Sequence, residues 1–248
     1  MAGRCGGAGA CVIRFALAPD LDSAALAEEF AARGRVVVEN FLADGQAQAL
    51  HDLLKARQDW KQVLNSGDKL VELDRQTRAS LTDPQRSDLD DAVYAGARYG
   101  FQYRYETIRV PDDARARAQS DDPLAAYARW LSSDEPREFL RTVVGDPAIR
   151  FADAQGTAYS PGDFLTGHDD AVEGKNRTAA YVLGLSPTWR PEWGGLLLFH
   201  GEDGASGDFL VPALNRLTLF RVGQPHSVSL VSRATPVRRY SITAWLRR

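Results

Sequence analysis

The stretch Tyr159-Ser160-Pro161-Gly162-Asp163-Phe164-Leu165-Thr166-Gly167-His168-Asp169-Asp170 is the one from which the rest of the chain is best read. It ends in a His-x-Asp pair, and both residue types bind metals. If residues 164–170 run as a strand, period-two alternation puts His168 and Asp170 on one face and turns Asp169 to the other.

Outward from this stretch, residues 149–245 share one character: short apolar runs, punctuated by glycine and proline, without helical periodicity. Strands are predicted at 149–154, 156–160, 164–170, 178–185, 195–200, 208–211, 216–222, 226–231 and 238–246. Many short strands at this spacing predict an all-β sandwich or barrel of the jelly-roll kind. Residues 19–148 read differently. Helices are predicted over 22–32, from about Asp44 with Leu50, Leu53 and Leu54 on its apolar stripe, over 88–97, over 124–131 and over 136–144, with a strand at Arg35–Val38. Gly100 to Ile108 alternates like a strand, with Phe101, Tyr103 and Tyr105 on one face. Residues 65–90 and 111–123 are polar and aperiodic and are expected to be loops, with a short strand at Lys69–Leu73; a lid over a binding site is one use for them. The expectation is one domain over 19–248, α+β in class, with the N-terminal helices packed outside a β core, preceded by a flexible tail over 1–18.

The 248 residues are 44% hydrophobic and 25% charged, which excludes only the extreme classes. A net charge of -3 argues against broad attraction to nucleic acid or to an anionic membrane. Both cysteines, Cys5 and Cys11, lie in the first dozen residues, too few for a disulfide framework. With arginines and glycines where an export signal would be apolar, a cytoplasmic protein is expected.

Among the four histidines, His51 falls in a helix of surface character and His200 ends an apolar strand beside a Gly-rich turn. His226, which starts a strand late in the β region, is the candidate to join His168 and Asp170. Two imidazoles and a carboxylate on one side of a metal leave open positions opposite, the arrangement of non-haem Fe(II) oxygenases. The last strand, Arg238-Arg239-Tyr240-Ser241-Ile242-Thr243-Ala244-Trp245, turns Arg239, Ser241, Thr243 and Trp245 to one face. A guanidinium inside a small barrel needs an anion, and a small dicarboxylate supplies one; in water at a sheet edge it needs none.

These residues carry a resemblance. Tyr159-x-x-Gly162-Asp163-x-Leu165-x-x-His168-x-Asp170 is followed by Arg177 and Tyr181-Val182-Leu183-Gly184-Leu185. Next come Trp189, Trp193-Gly194-Gly195-x-Leu197, Pro212, Asn215-x-Leu217-x-x-Phe220, His226-x-Val228 and Arg239-x-Ser241-x-x-x-Trp245. The chain resembles the iron(II)- and 2-oxoglutarate-dependent dioxygenases, and among them the prolyl hydroxylases of the EGL-nine and ribosomal type, closely over about residues 150–246. The resemblance implies a double-stranded β-helix, or jelly roll. It implies iron held by His168, Asp170 and His226, with 2-oxoglutarate paired to Arg239 and hydrogen-bonded by Tyr159, Tyr181 and Ser241. It also implies O2 as co-reactant, ascorbate as a reductant, and hydroxylation of a protein substrate with an exposed proline, the translation apparatus being one source. Retention of Asp170 points to hydroxylation, because related halogenases carry a small residue there. The interval from His226 to Arg239 is longer than the family's, which predicts a bulge or a longer turn near Arg233–Pro236.

Three alternatives stand beside this reading: the same chemistry on a free amino acid or other small molecule, a jelly-roll metal-binding or sensing module without turnover, and a zinc hydrolase. The last leaves Arg239 and Ser241 without a purpose.

Overall fold

The computed structural model describes residues 13–67 and 69–248. The elements run in order α1 (Ser23–Arg33), β1 (Arg35–Val38), α2 (Gln46–Ala56), β2 (Lys61–Ser66), β3 (Lys69–Asp74), α3 (Arg75–Ser80), α4 (Asp83–Tyr99), β4 (Tyr103–Arg109), α5 (Ala114–Gln119), α6 (Pro123–Leu131) and α7 (Asp134–Val144). The β region follows as β5 (Phe151–Ala152), β6 (Gln155–Tyr159), β7 (Phe164–His168), β8 (Arg177–Leu185), β9 (Leu197–His200), β10 (Gly207–Leu210), β11 (Leu214–Arg221), β12 (His226–Val228) and β13 (Arg239–Arg247). Local chemistry sets many of these boundaries. The Asp22 carboxylate accepts from the backbone N–H groups of Ala24 and Ala25 to open α1, and Gly34, left-handed at φ 71°, closes it.

The strands form one antiparallel sheet that curls on itself, in the order β1-β11-β8-β13-β6-β4-β7-β12-β9-β10. The curl is made by β4, whose residues Glu106–Arg109 pair with β6 while Tyr103 and Arg104 pair with β7. One strand thus leaves the first half of the sheet and starts the second. The convex side of the first half packs on α1, α2, α6 and α7 through a core that includes Phe30, Leu50, Leu54, Tyr127, Leu140, Leu183, Leu219 and Ile242. Burying that face takes the apolar side chains of β8, β11 and β13 out of water, and this area is the main stabilising term. The concave side carries a smaller apolar cluster, Ala180, Leu197, Phe199 and Phe220, between the two halves. This is the predicted jelly roll with helices outside it, α+β in class.

Several expectations are corrected. Residues 1–12, with both cysteines, lie outside the described residues, but residues 13–18 are not a loose tail. The Phe15 ring meets Tyr127 edge-on at 5.4 Å, and Leu17 bridges to Leu42. The expected loop over 65–90 is the β2–β3 hairpin followed by α3 and α4. Helix α4 starts at Asp83, ahead of the predicted Asp88, because Thr82 and Gln85 form a reciprocal capping box with a proline in the first turn. Its polar sequence hid it: among its residues Val93 alone is buried. Within 111–123, α5 is capped by the Asp113 carboxylate on the Ala116 N–H. The extra length between His226 and Arg239 is taken up by a turn, with the Thr235 N–H donating to Ser232 O at 3.2 Å.

Candidate active site

Strands β7 and β12 are antiparallel neighbours, and their register sets His226 directly opposite His168. The two ring centroids are 4.1 Å apart. Asp170 reaches them differently from expected. Strand β7 ends at His168, so alternation along a strand does not carry Asp170; instead it lies in the following turn at φ 62°, a left-handed conformation that Asp tolerates better than most residues. That turn folds the carboxylate back, with Oδ1 3.5 Å from His168 Nε2 and Oδ2 3.4 Å from His226 Nε2.

Backbone carbonyls fix the tautomers. His168 Nδ1 lies 3.1 Å from Thr166 O and His226 Nδ1 2.9 Å from Gln224 O, and a carbonyl only accepts. Each Nδ1 therefore carries the hydrogen and each Nε2 turns its lone pair to Asp170. Burial, with the neighbouring His168, pushes the His226 pKa below its ordinary value, which favours the neutral, metal-binding form. Ligand atoms of His168, Asp170 and His226 all lie within 4.8 Å of one another.

A cavity of about 390 Å³ opens above this cluster, walled by Tyr103, Tyr105, Tyr159, Leu165, Phe220, Val228 and Trp245. Arg239 lies in its depth, 4% exposed, with its guanidinium 5.0 Å from the Tyr159 ring centroid. Among the described residues no carboxylate pairs with it, and burial lowers its pKa, so the charge is held without a protein counter-ion. Gly195 makes room for it: at φ 61°, a Cβ there would stand 3.3 Å from Arg239 Cδ. Arg239 and Tyr159 are direct cross-strand partners on β13 and β6. Two residues along, Ser241 faces Thr157 in the same register, and their hydroxyls lie 2.7 Å apart.

Tyr181 is misplaced by the resemblance. Alternation along β8 turns Ala180 and Val182 to the cavity and Tyr181 to the helices, where it is buried in the main core and its hydroxyl donates to Asp153 O at 2.5 Å. Its hydroxyl is committed there and does not face Arg239. Ser241 is on the expected face, but its hydroxyl is shared with Thr157. Thr157 itself went unnoticed, although its position two residues before Tyr159 places it on the same face of β6. The other two histidines are structural: His51 Nδ1 sits 2.7 Å from Leu185 O, and His200 Nε2 2.8 Å from Ser227 Oγ.

The cavity wall also presents unpaired donors. The Arg177 guanidinium lies over the Trp245 ring, 3.4 Å from its centroid, and donates to Asp170 O at 3.1 Å. Arg177 Nε and Trp245 Nε1 are buried without acceptors. The same cavity is lined by a row of rings, Phe101, Tyr103, Tyr105 and Tyr159, with successive centroids 5.5, 5.7 and 5.1 Å apart.

Residues 154–247 match the family described as the 2OG-Fe(II) oxygenase superfamily. Over these residues, which carry His168, Asp170, His226 and Arg239, the chain is of that superfamily. No curated protein matches the sequence. Among solved structures, a Pseudomonas putida prolyl-4-hydroxylase superposes with a TM-score of 0.55 at 21% identity, over 92% of this chain and 99% of that one. A Trichoplax adhaerens prolyl hydroxylase in complex with a hypoxia inducible factor peptide gives 0.53 at 16%, over 91% and 88%. A non-haem alpha-ketoglutarate dependent epimerase of nogalamycin biosynthesis gives 0.57 at 16%, over 91% and 84%. At these identities the likeness is one of fold. The superfamily implies Fe(II) and 2-oxoglutarate, and the oxygenase's own residues fit both. Two Nε2 lone pairs and a carboxylate converge on one point, and a buried guanidinium without a counter-ion lies deeper in the same cavity.

Proposed function

We propose that this oxygenase hydroxylates a prolyl residue in a protein substrate, consuming 2-oxoglutarate and O2 and releasing succinate and CO2. The observation that carries the reading is the cavity wall. The row of rings Phe101-Tyr103-Tyr105-Tyr159 offers an apolar wall to a saturated five-membered ring. In the same cavity Arg177 Nε and Trp245 Nε1 are sealed without acceptors among the described residues, and a peptide carbonyl seated beside them would supply one. The prolyl hydroxylases among the structural neighbours agree with this reading.

His168, Asp170 and His226 would hold Fe(II), with Arg239 and Tyr159 on the distal carboxylate of 2-oxoglutarate. Bound together, the metal and 2-oxoglutarate supply the oxidation of an unactivated C–H bond. The chain's own residues perform the rest. The carbonyls of Thr166 and Gln224 keep the hydrogen of each imidazole on Nδ1 and leave Nε2 for the metal, the Thr157–Ser241 hydroxyl pair shapes the floor beside Arg239, and Leu165, Phe220 and Val228 exclude water.

The test is to give the purified enzyme Fe(II), 2-oxoglutarate, ascorbate and extracts or candidate proteins, including those of translation, and to search peptides for one added oxygen by mass spectrometry. Prolyl peptides gaining oxygen with wild type and not with Asp170→Ala support the proposal. Turnover stimulated by free proline or another small molecule, with proteins inert, would replace it by the small-molecule reading.

A further inference from the structure

The other face of β4 carries charges that the metal centre does not use. Alternation turns Tyr103 and Tyr105 to the metal cavity and sends Arg104 and Glu106 to the opposite side of the sheet, beside α3 and α4. A second cavity lies there, about 570 Å³ in volume against about 390 Å³ for the first.

Glu106, 1% exposed, sits among three guanidiniums: Arg78 Nη1 at 2.7 Å, Arg238 Nη1 at 2.8 Å and Arg75 Nε at 3.6 Å. One carboxylate balances one of these cations. Arg104 is paired with Asp90 and Asp163. Arg86 also lines the cavity, and its carboxylate neighbour, Asp83, is fully exposed and outside the lining. In total the walls hold five arginines against three carboxylates, in a chain whose net charge is -3. Positive charge concentrated in a concavity of a net-negative protein focuses an attractive potential for anions. Arginine forks match phosphate and carboxylate oxygens in pairs. Among the described residues no aromatic ring lines the cavity; Ala79, Leu81, Leu89 and Pro161 make up its apolar wall, so a base has nothing to stack on.

We propose that this cavity binds a small polyanion, a phosphate ester or polycarboxylate without an aromatic group, gripped by Arg75, Arg78, Arg86 and Arg238. The site is separate from the metal centre yet adjoins it through the backbone: Arg238 precedes Arg239, and Ser160, also in the lining, follows Tyr159. A bound polyanion therefore stands one residue from both members of the Arg239–Tyr159 pair.

The test is calorimetric titration of the full chain, freed of divalent metal, with sodium pyrophosphate and separately with sodium citrate, against sodium chloride at equal ionic strength. Wild type, Arg75→Gln/Arg86→Gln and Arg239→Gln are compared. Arg75 and Arg86 are partly exposed, and replacing them leaves the Arg78 and Arg238 pairs with Glu106 in place. If the double variant melts early, Arg86→Gln alone carries the comparison. Wild type is expected to bind at least one of the two anions, with affinity about tenfold weaker for each guanidinium removed and unchanged in Arg239→Gln. Response to pyrophosphate alone or to citrate alone identifies the anion class. A response no greater than chloride's, or binding lost in Arg239→Gln and kept in Arg75→Gln/Arg86→Gln, overturns the proposal.

Discussion

Replacing Arg239 by Gln should separate cosubstrate binding from folding. The guanidinium is 4% exposed and pairs with no carboxylate of the described residues, so its counter-ion must come with the ligand. Two charge-assisted hydrogen bonds to one carboxylate contribute about 1.5–3 kcal/mol each. Losing both costs about 3–6 kcal/mol, which at about 1.4 kcal/mol per decade weakens 2-oxoglutarate binding about 10²- to 10⁴-fold. The folding ledger runs the other way. Removing an uncompensated buried charge relieves its desolvation cost, and the lost contact with the Tyr159 ring offsets about 1–2 kcal/mol of that relief. Stability should therefore change by no more than about 1–2 kcal/mol. Calorimetric titration of the Mn(II)-loaded protein with 2-oxoglutarate measures the first quantity, and urea unfolding of the ligand-free protein the second. Affinity within threefold of wild type would refute the placement of the cosubstrate. A loss of more than about 3 kcal/mol of stability would show that Arg239 is a structural ion after all.

Asp170→Ala should abolish the thermal stabilisation by added divalent metal, which in wild type at 100-fold excess over the dissociation constant is worth about 2.7 kcal/mol, or roughly 5–11 °C; an equal shift in both proteins would exclude Asp170 as a ligand. Tyr181→Phe should leave 2-oxoglutarate affinity unchanged while lowering stability by about 1–2 kcal/mol, because Asp153 O loses its donor; weakened cosubstrate binding would restore Tyr181 to the pocket. Burial pushes the Asp163 carboxyl up to about 7 from 3.8, against the pull of Arg104. Between these values the folded state holds a proton that the unfolded state has released, so this group's contribution to stability is greatest below pH 4 and declines as pH rises through 7. Urea unfolding across that range should show the decline in wild type and a flatter profile in Asp163→Asn; a profile that steepens in the variant would reverse the sign of the argument.

The sequence by itself determined the class of fold, since period-two alternation in short strands is a direct imprint of a sheet with one face on a core, and it named the metal cluster through the His-x-Asp pair, His226 and the resemblance they carry. Alternation also placed Arg239 and Ser241 on a common face and aligned Phe101, Tyr103 and Tyr105, because each of these statements concerns one strand. It failed where the chain leaves a strand or where two faces are both buried. Asp170 reaches His168 through a left-handed turn beyond β7, which no periodicity encodes. Tyr181 and Val182 look equally suitable for a pocket, and only the helices packed against β8 decide that Tyr181 faces away. The tertiary structure likewise decided what surrounds each charge. Arg238 and Arg239 are adjacent and chemically identical, yet one lies on Glu106 in an arginine-lined cavity and the other lies without a counter-ion beside the metal centre. Their difference is set by strands far apart in sequence, because the environment of a buried charge is made by whatever the fold packs against it.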